Sequence, residues 1–472
     1  MSRTPTAPTR RHPLRWRVWL GLFVLLAIAA GMAAAWTAYE RLGRTPAELL
    51  DYVERRLQGH TKLEWATRPA LNLVRAELDA PRVAERALAF VVPPPPPRRG
   101  PGAVPAPEAT PAGTTVWRVG PGEKLTRIAD AARLAKDGDI VEIQAGDYHG
   151  DVATWRQQRL TIRGVGGAAR LFAAGRSAEG KAIWVIRNGE FDISNIDFVG
   201  ARVSDGNGAG IRFERGTLRL RHCLFWDNQM GLVTAGAEHA GDSTLDIASS
   251  EFAYSHVKGR WGHNLYAGSI GLLRVTGSYF HHAGVGHLLK SRARVTELRY
   301  NRFTDEAGGR ASYELNFPNG GQVQMVGNIV QQQPRTENGK MISFGEEGYK
   351  WPLNTLQMAN NTLVNDLPHG GSFVYVAPGA DAVLSANNLR VGPGRDRAQD
   401  HLTAFNDQGA GWPDFVGAAR HDYRLREPGP SHRYRRPPAS AGAWAAPTHR
   451  YAHPTALEPL PGPPLFVGGE PR

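Results

Sequence analysis

The sequence predicts an all-β solenoid, and three observations carry that expectation. Glycine is abundant, at 54 of 472 residues. Helical periodicity is scarce beyond the first hundred residues, which points to short strands and many turns. Above all, eight segments repeat: FDISNIDF (191–198), LRLRHCLF (218–225), LDIASSEF (245–252), LRVTGSYF (273–280), TELRYNRF (296–303), VQMVGNIV (323–330), LQMANNTL (356–363) and AVLSANNL (382–389). Their starts differ by 27, 27, 28, 23, 27, 33 and 26 residues, the length of one coil holding two or three short strands. The third positions, Ile193, Leu220, Ile247, Val275, Leu298, Met325, Met358 and Leu384, are all apolar and are assigned to the core. The sixth positions read Ile196, Cys223, Ser250, Ser278, Asn301, Asn328, Asn361 and Asn387. Asparagines stacked in such a column bond one another's amides and the backbone, which satisfies buried polar groups.

The remaining elements follow in chain order. Residues 1–17 form a basic tail, expected in the cytoplasm, and 18–36 are 19 residues without charge, long enough to span a bilayer. The arginines before that run place the bulk of the chain outside the cytoplasmic membrane. The closing Ala33-Ala34-Ala35 also fits a signal-peptide cleavage site. A helical hairpin or stalk is expected over 44–90, opened by the capping box Thr45-Pro46-Ala47-Glu48. Residues 91–113 read as an extended proline-rich linker. The solenoid is assigned to 114–427, entered through an amphipathic capping helix bearing Leu125, Ile128, Ala129, Ala132 and Leu134. Residues 428–472 are expected as an irregular tail packed on it.

Lys and Arg exceed Asp and Glu by 12, and five of those cations precede the apolar run, leaving 12 − 5 = +7 on the rest. That excess favours an anionic partner, and the membrane topology disfavours nucleic acid. The single cysteine, Cys223, excludes an intrachain disulfide.

By its repeats the chain resembles the right-handed parallel β-helix superfamily, which includes pectate lyases and other polysaccharide-acting enzymes. The candidate chemistry sits in strand-like pieces at 263–267, 287–292 and 313–317, one coil apart. Leu265, Leu289 and Leu315 share the parity expected of the core, whereas Tyr266, Lys290 and Asn316 form an outward row flanked by Asn264, Arg292 and Glu314. Lys290-Ser291 resembles the alginate lyase and chondroitinase B group, whose lysine removes the proton alpha to a uronic carboxylate. That resemblance implies Lys290 as base, Arg292 to neutralise the carboxylate and Tyr266 to protonate the leaving oxygen. Glu314 would orient the lysine or, with Asn316, supply oxygen ligands for Ca²⁺. The chain departs from that group at 283–286, which carry no carboxylate, and at the coil after the lysine, where no arginine stands. A zinc site at His281, His282 and His287 is disfavoured by the ligand spacing.

Substrate contacts are expected from Trp261, His263, Asn264, His287, Asn316 and Arg335. His263 and His287 share the leucines' parity, which offers core packing as an alternative. The expected function is β-elimination or C5 epimerisation on an acidic polysaccharide. The alternative is an envelope protein that binds or guides the polysaccharide beside export machinery. Hydrolysis would need paired carboxylates, for which Glu314 with Glu346 or Glu347 is the candidate pair.

Overall fold

A computed structural model of the chain describes residues 71, 90–100 and 113–469, except 236–240, 259–260, 337, 369, 399–401, 421, 428 and 438–441. The expected membrane span at 18–36 and almost all of the expected stalk lie outside those residues. Among the described residues no helix is long and apolar enough to cross a membrane.

Each coil lays strands into two parallel sheets. One coil contributes Val295–Arg299 and Arg302–Thr304 to a 21-stranded sheet and Tyr313–Phe317 to a 10-stranded one. The smaller sheet runs from Ala153–Trp155 to Arg395–Ala398, one strand per coil. The chain is a right-handed parallel β-helix of about ten coils. Its core forms because equivalent apolar residues stack on one another. Phe198, Phe225, Phe252, Phe280 and Phe303 follow at centroid spacings of 5.0, 4.4, 4.7 and 5.0 Å. On the opposite wall Leu265, Leu289, Leu315, Ile342 and Val374 are register partners.

The polar column is a continuous hydrogen-bond ladder. The backbone N–H of Ser278 donates to Asn301 Oδ1 at 2.9 Å, Asn301 to Asn328 at 3.0 Å, and Asn328 to Asn361 at 3.0 Å. Asn361 then donates to Asn388 at 2.8 Å, and Asn388 to Asp407 at 2.7 Å. Cys223 lies in the same column, and burial pushes its thiol up to about 11. The last repeat corrects the sequence alignment by one residue. Ser385, not Leu384, stacks on Met358, and Asn388 replaces Asn387 in the ladder. Asn387 instead takes a left-handed φ of 55° and donates to Arg435 O in the tail. Two consecutive asparagines fit either register by type, and a one-residue slip exchanges the faces. Asn328→Ala is expected to lower unfolding stability by about 3 kcal/mol, because it strands the Asn301 N–H and the Leu298 carbonyl inside the coil. Urea unfolding checks this, and an unchanged midpoint would remove the ladder from the list of stabilising features.

The amphipathic segment forms a helix at Ile128–Leu134, burying Ile128, Ala131 and Ala132 in the core. Its first turn is held by Asp151, whose carboxylate accepts from the Ile128 and Ala129 N–H groups at 2.6 and 3.0 Å. Leu134, at the helix end, is exposed.

The proline-rich segment is not a free spacer over 90–100. The Trp226 indole donates to Pro93 O at 3.0 Å, Arg170 donates to Pro96 O at 2.8 Å, and Arg99 pairs with buried Asp197 at 2.6 Å. Prolines leave backbone carbonyls without local partners, and the wall supplies donors and aromatic faces to meet them. Farther along the solenoid the tail packs on the same sheet, with Asn360 donating to Ala445 O and the Thr448 N–H to Tyr300 Oη, each at 3.0 Å.

Candidate functional site

Register in the smaller sheet brings Tyr266, Lys290, Asn316, Ser343 and Tyr375 into one row across five coils. Arg292, just beyond the end of its strand, is the hub. Its Nε donates to Tyr266 Oη at 3.0 Å, one Nη donates to Asn319 Oδ1, and the other meets Glu347 Oε2 at 2.7 Å. Lys290 Nζ meets the second Glu347 oxygen at 3.1 Å. Burial pushes the Glu347 carboxyl up, but hydrogen bonds from Arg292 and the charge of Lys290 outweigh it and hold it below the usual carboxylate range. The partner of Lys290 is therefore Glu347, from a turn 57 residues on, rather than Glu314.

Glu314 and Asn264 correct the parity argument. Both are fully buried. Asn264 is turned into the corner of the coil, donating to Phe252 O and His281 O and accepting from the Ser255 N–H. Glu314 faces inward too, and among the described residues neither carboxyl oxygen has a hydrogen-bond partner. Burial drives its carboxyl well above the ordinary range. Consecutive Leu288 and Leu289 are both in the core, so the alternation that holds from Leu265, Leu289 and Leu315 onward does not extend back to the residues before them. Glu314 therefore pairs with neither Glu346 nor Glu347, and it shares no ligand position with Asn316, which stays in the outward row. Among the described residues no group of three or more His, Cys, Asp or Glu side chains is arranged to hold a metal.

His263 and His287 are also buried, yet they pack beside the outward row. His263 packs edge-on to Tyr266 at 5.6 Å and against His287 at 4.5 Å, and His287 packs edge-on to Tyr313 at 4.9 Å. The His287 N–H donates to His263 Nδ1 at 3.0 Å, which leaves the His263 proton on Nε2. Burial, reinforced by the charges of Lys290 and Arg292, takes the His263 imidazole down to about 3 and His287 well below its ordinary value. Both are neutral rings beside two cations.

Sequence reasoning left out Asn319, Lys340, Ser343 and Tyr375, which join this surface. Glu346 accepts from Tyr313 Oη at 2.8 Å and Ser343 Oγ at 2.7 Å, and it also pairs with Lys340, which lies over the Tyr375 ring at 4.3 Å. Glu346 and Glu347 belong to the oversized 33-residue repeat, and that extra length was the available signal for a wall-forming loop. Trp261 is 64% exposed just before the strand Leu265–Ala267. Arg335 is exposed on the connection into Lys340–Phe344. The row thus combines paired cations and a phenol, with neutral imidazoles packed against that phenol, groups that bind anions and sugar rings.

No family model matches the chain, and no curated protein matches it in sequence. Solved structures do resemble it. One is the pectate lyase Pel9A, at 12% identity over 76% of this chain and 98% of that one, with a TM-score of 0.47. Another is the pectin methylesterase from Aspergillus niger, at 12% identity, 71% and 96% coverage, and a TM-score of 0.28. A third is the alginate lyase AlyGC, at 14% identity, 58% and 48% coverage, and a TM-score of 0.21.

Proposed function

We propose that the protein acts on an acidic polysaccharide along the outer face of the smaller sheet, by β-elimination or C5 epimerisation. The observation that carries this reading is the fork formed by Lys290 and Arg292 around one carboxylate, beside the Tyr266 hydroxyl. In β-elimination Lys290 takes the C5 proton of a uronate whose carboxylate Arg292 neutralises. The C–H electron pair becomes the C4–C5 double bond, and the departing O4 takes the Tyr266 proton. Arg292 donates to the phenol oxygen, so the phenolic proton is directed elsewhere. Epimerisation shares the first step and returns a proton to the opposite face of C5. Trp261 would offer a ring-stacking platform, and His263 Nε2–H a neutral donor. In the same proposal residues 18–36 anchor the protein in the cytoplasmic membrane, the β-helix lies on its outer side near export machinery, and the helix Ile128–Leu134 closes the first coil.

A second reading is a binding protein without turnover. It is favoured by the Glu347 contact, since a lysine already held by a carboxylate is equipped to bind an anion. The full chain incubated with alginate, polygalacturonate or hyaluronan is expected to release unsaturated uronate, followed by ultraviolet absorbance, and Lys290→Ala to stop it. Proton exchange at C5 in heavy water without that absorbance would identify an epimerase. Salt-sensitive binding with neither signal would identify the binder, and absence of binding to all three polymers would sink both readings.

A further inference from the structure

We propose that Glu347 is an internal occupant of the carboxylate subsite, which an anionic substrate must displace to bind. This rests on the reading of Lys290 and Arg292 as the carboxylate fork. The two oxygens of Glu347 are divided between Lys290 Nζ at 3.1 Å and an Arg292 Nη at 2.7 Å, the arrangement a substrate carboxylate would need there. Exposure distinguishes host from occupant. The Lys290 and Arg292 side chains are only 10% and 20% exposed, whereas the Glu347 side chain is 47% exposed and reaches over them from the solvent side.

Displacement requires no refolding of the turn. The Glu347 N–H is bonded to Pro318 O at 2.9 Å, and the Gly348 N–H to Gly345 O at 3.0 Å. Glu346 is tied down next door by Tyr313, Ser343 and Lys340. The backbone therefore stays in place while the Glu347 side chain rotates away, a fast motion for a half-exposed group. A tethered carboxylate competes at high effective concentration, so a single free carboxylate is a poor competitor. A polyuronate presents many carboxylates in succession and exchanges one for another without leaving the surface. The occupant thus selects for polymers over monomers, and it offsets the repulsion between two closely placed cations when no substrate is present.

The test uses the full chain and two variants, Glu347→Gln and Glu347→Ala, the second guarding against an amide that rebuilds the same contacts. Polygalacturonate binding is expected to tighten about tenfold in both at low ionic strength, with the gain shrinking as salt rises. In a parallel arm, free glucuronate is titrated while the ¹⁵N resonance of Arg292 Nε is followed; the variants should respond at about tenfold lower concentration than the parent. Unchanged or weaker glucuronate binding in both variants overturns the proposal and makes Glu347 an orienting residue. The glucuronate arm also separates the two ideas. A variant-specific response to glucuronate with no polymer bound by any form keeps the internal occupant and discards the polysaccharide reading.

Discussion

Arg292→Ala is expected to lower affinity for an acidic polysaccharide by about a hundredfold, since one charge-assisted contact and the neighbours it orients are lost together. Three directional bonds leave this guanidinium, to Tyr266, Asn319 and Glu347. Through the first and last of these it ties the phenol on one coil to the turn carrying Glu347. Alanine would leave Tyr266 without the donor that aims its hydroxyl and would leave Lys290 as the sole cation of the fork. Arg292→Lys should recover little, because an ammonium is a point charge that cannot span three partners in a plane. Calorimetric titration with polygalacturonate measures the loss, and unchanged circular dichroism would exclude misfolding. Affinity retained within about threefold of the parent would show that the fork is not where the polymer binds.

The second large effect concerns stability. Asp305, at the corner of the coil, is buried, and that burial pushes its carboxyl up to about 8 despite the Ala311 N–H donated to it at 2.6 Å. Glu314, raised mainly by burial and further by the charge of Asp305, shifts in the same direction. Both acids keep a proton in the folded chain that they release when unfolded. The sign follows from that difference. Their contribution is fully present below the ordinary carboxylate pKa and is lost as pH rises, for Asp305 toward about 8. For Asp305 alone the loss by neutral pH is on the order of 4 kcal/mol. Asp305→Asn and Glu314→Gln should each stabilise the protein at pH 7 and flatten the decline between pH 4 and 8. His263 acts with the opposite sign, since its imidazole, held down to about 3 by burial and the nearby cations, costs stability as pH falls below the ordinary histidine range. The diagnostic is therefore the difference in urea midpoint between variant and parent across pH. A difference that does not change with pH would mean these carboxyls are ionised in the folded protein.

The two predictions draw on parts of the molecule that were unequally legible in the sequence. The row Tyr266, Lys290, Asn316 could be read directly, because each residue lies in a straight strand beside a leucine that must be buried. The environment of Glu314 could not. Strict alternation predicts an outward acid there, yet two consecutive residues of the preceding coil, Leu288 and Leu289, are both in the core, and the Glu314 side chain is buried too. His263 and His287 have the leucines' parity and nonetheless pack beside Tyr266 and Tyr313. The proline segment is a different case: a run of prolines specifies an extended backbone, but nothing in the run specifies that Trp226, Arg170 and Asp197 wait to receive it.

Taken alone, the sequence determined the coil, its approximate period, the stacked core and the asparagine ladder. Those features rest on short-range alternation, and a repeat of nearly constant length brings like residues into contact. Only the tertiary structure decided which carboxylate meets Lys290 and Arg292, which polar groups enter the corner, and where the proline segment lies. Corners and long turns break the alternation, and the partners they bring together are selected by the path of the chain in space rather than by any period along it.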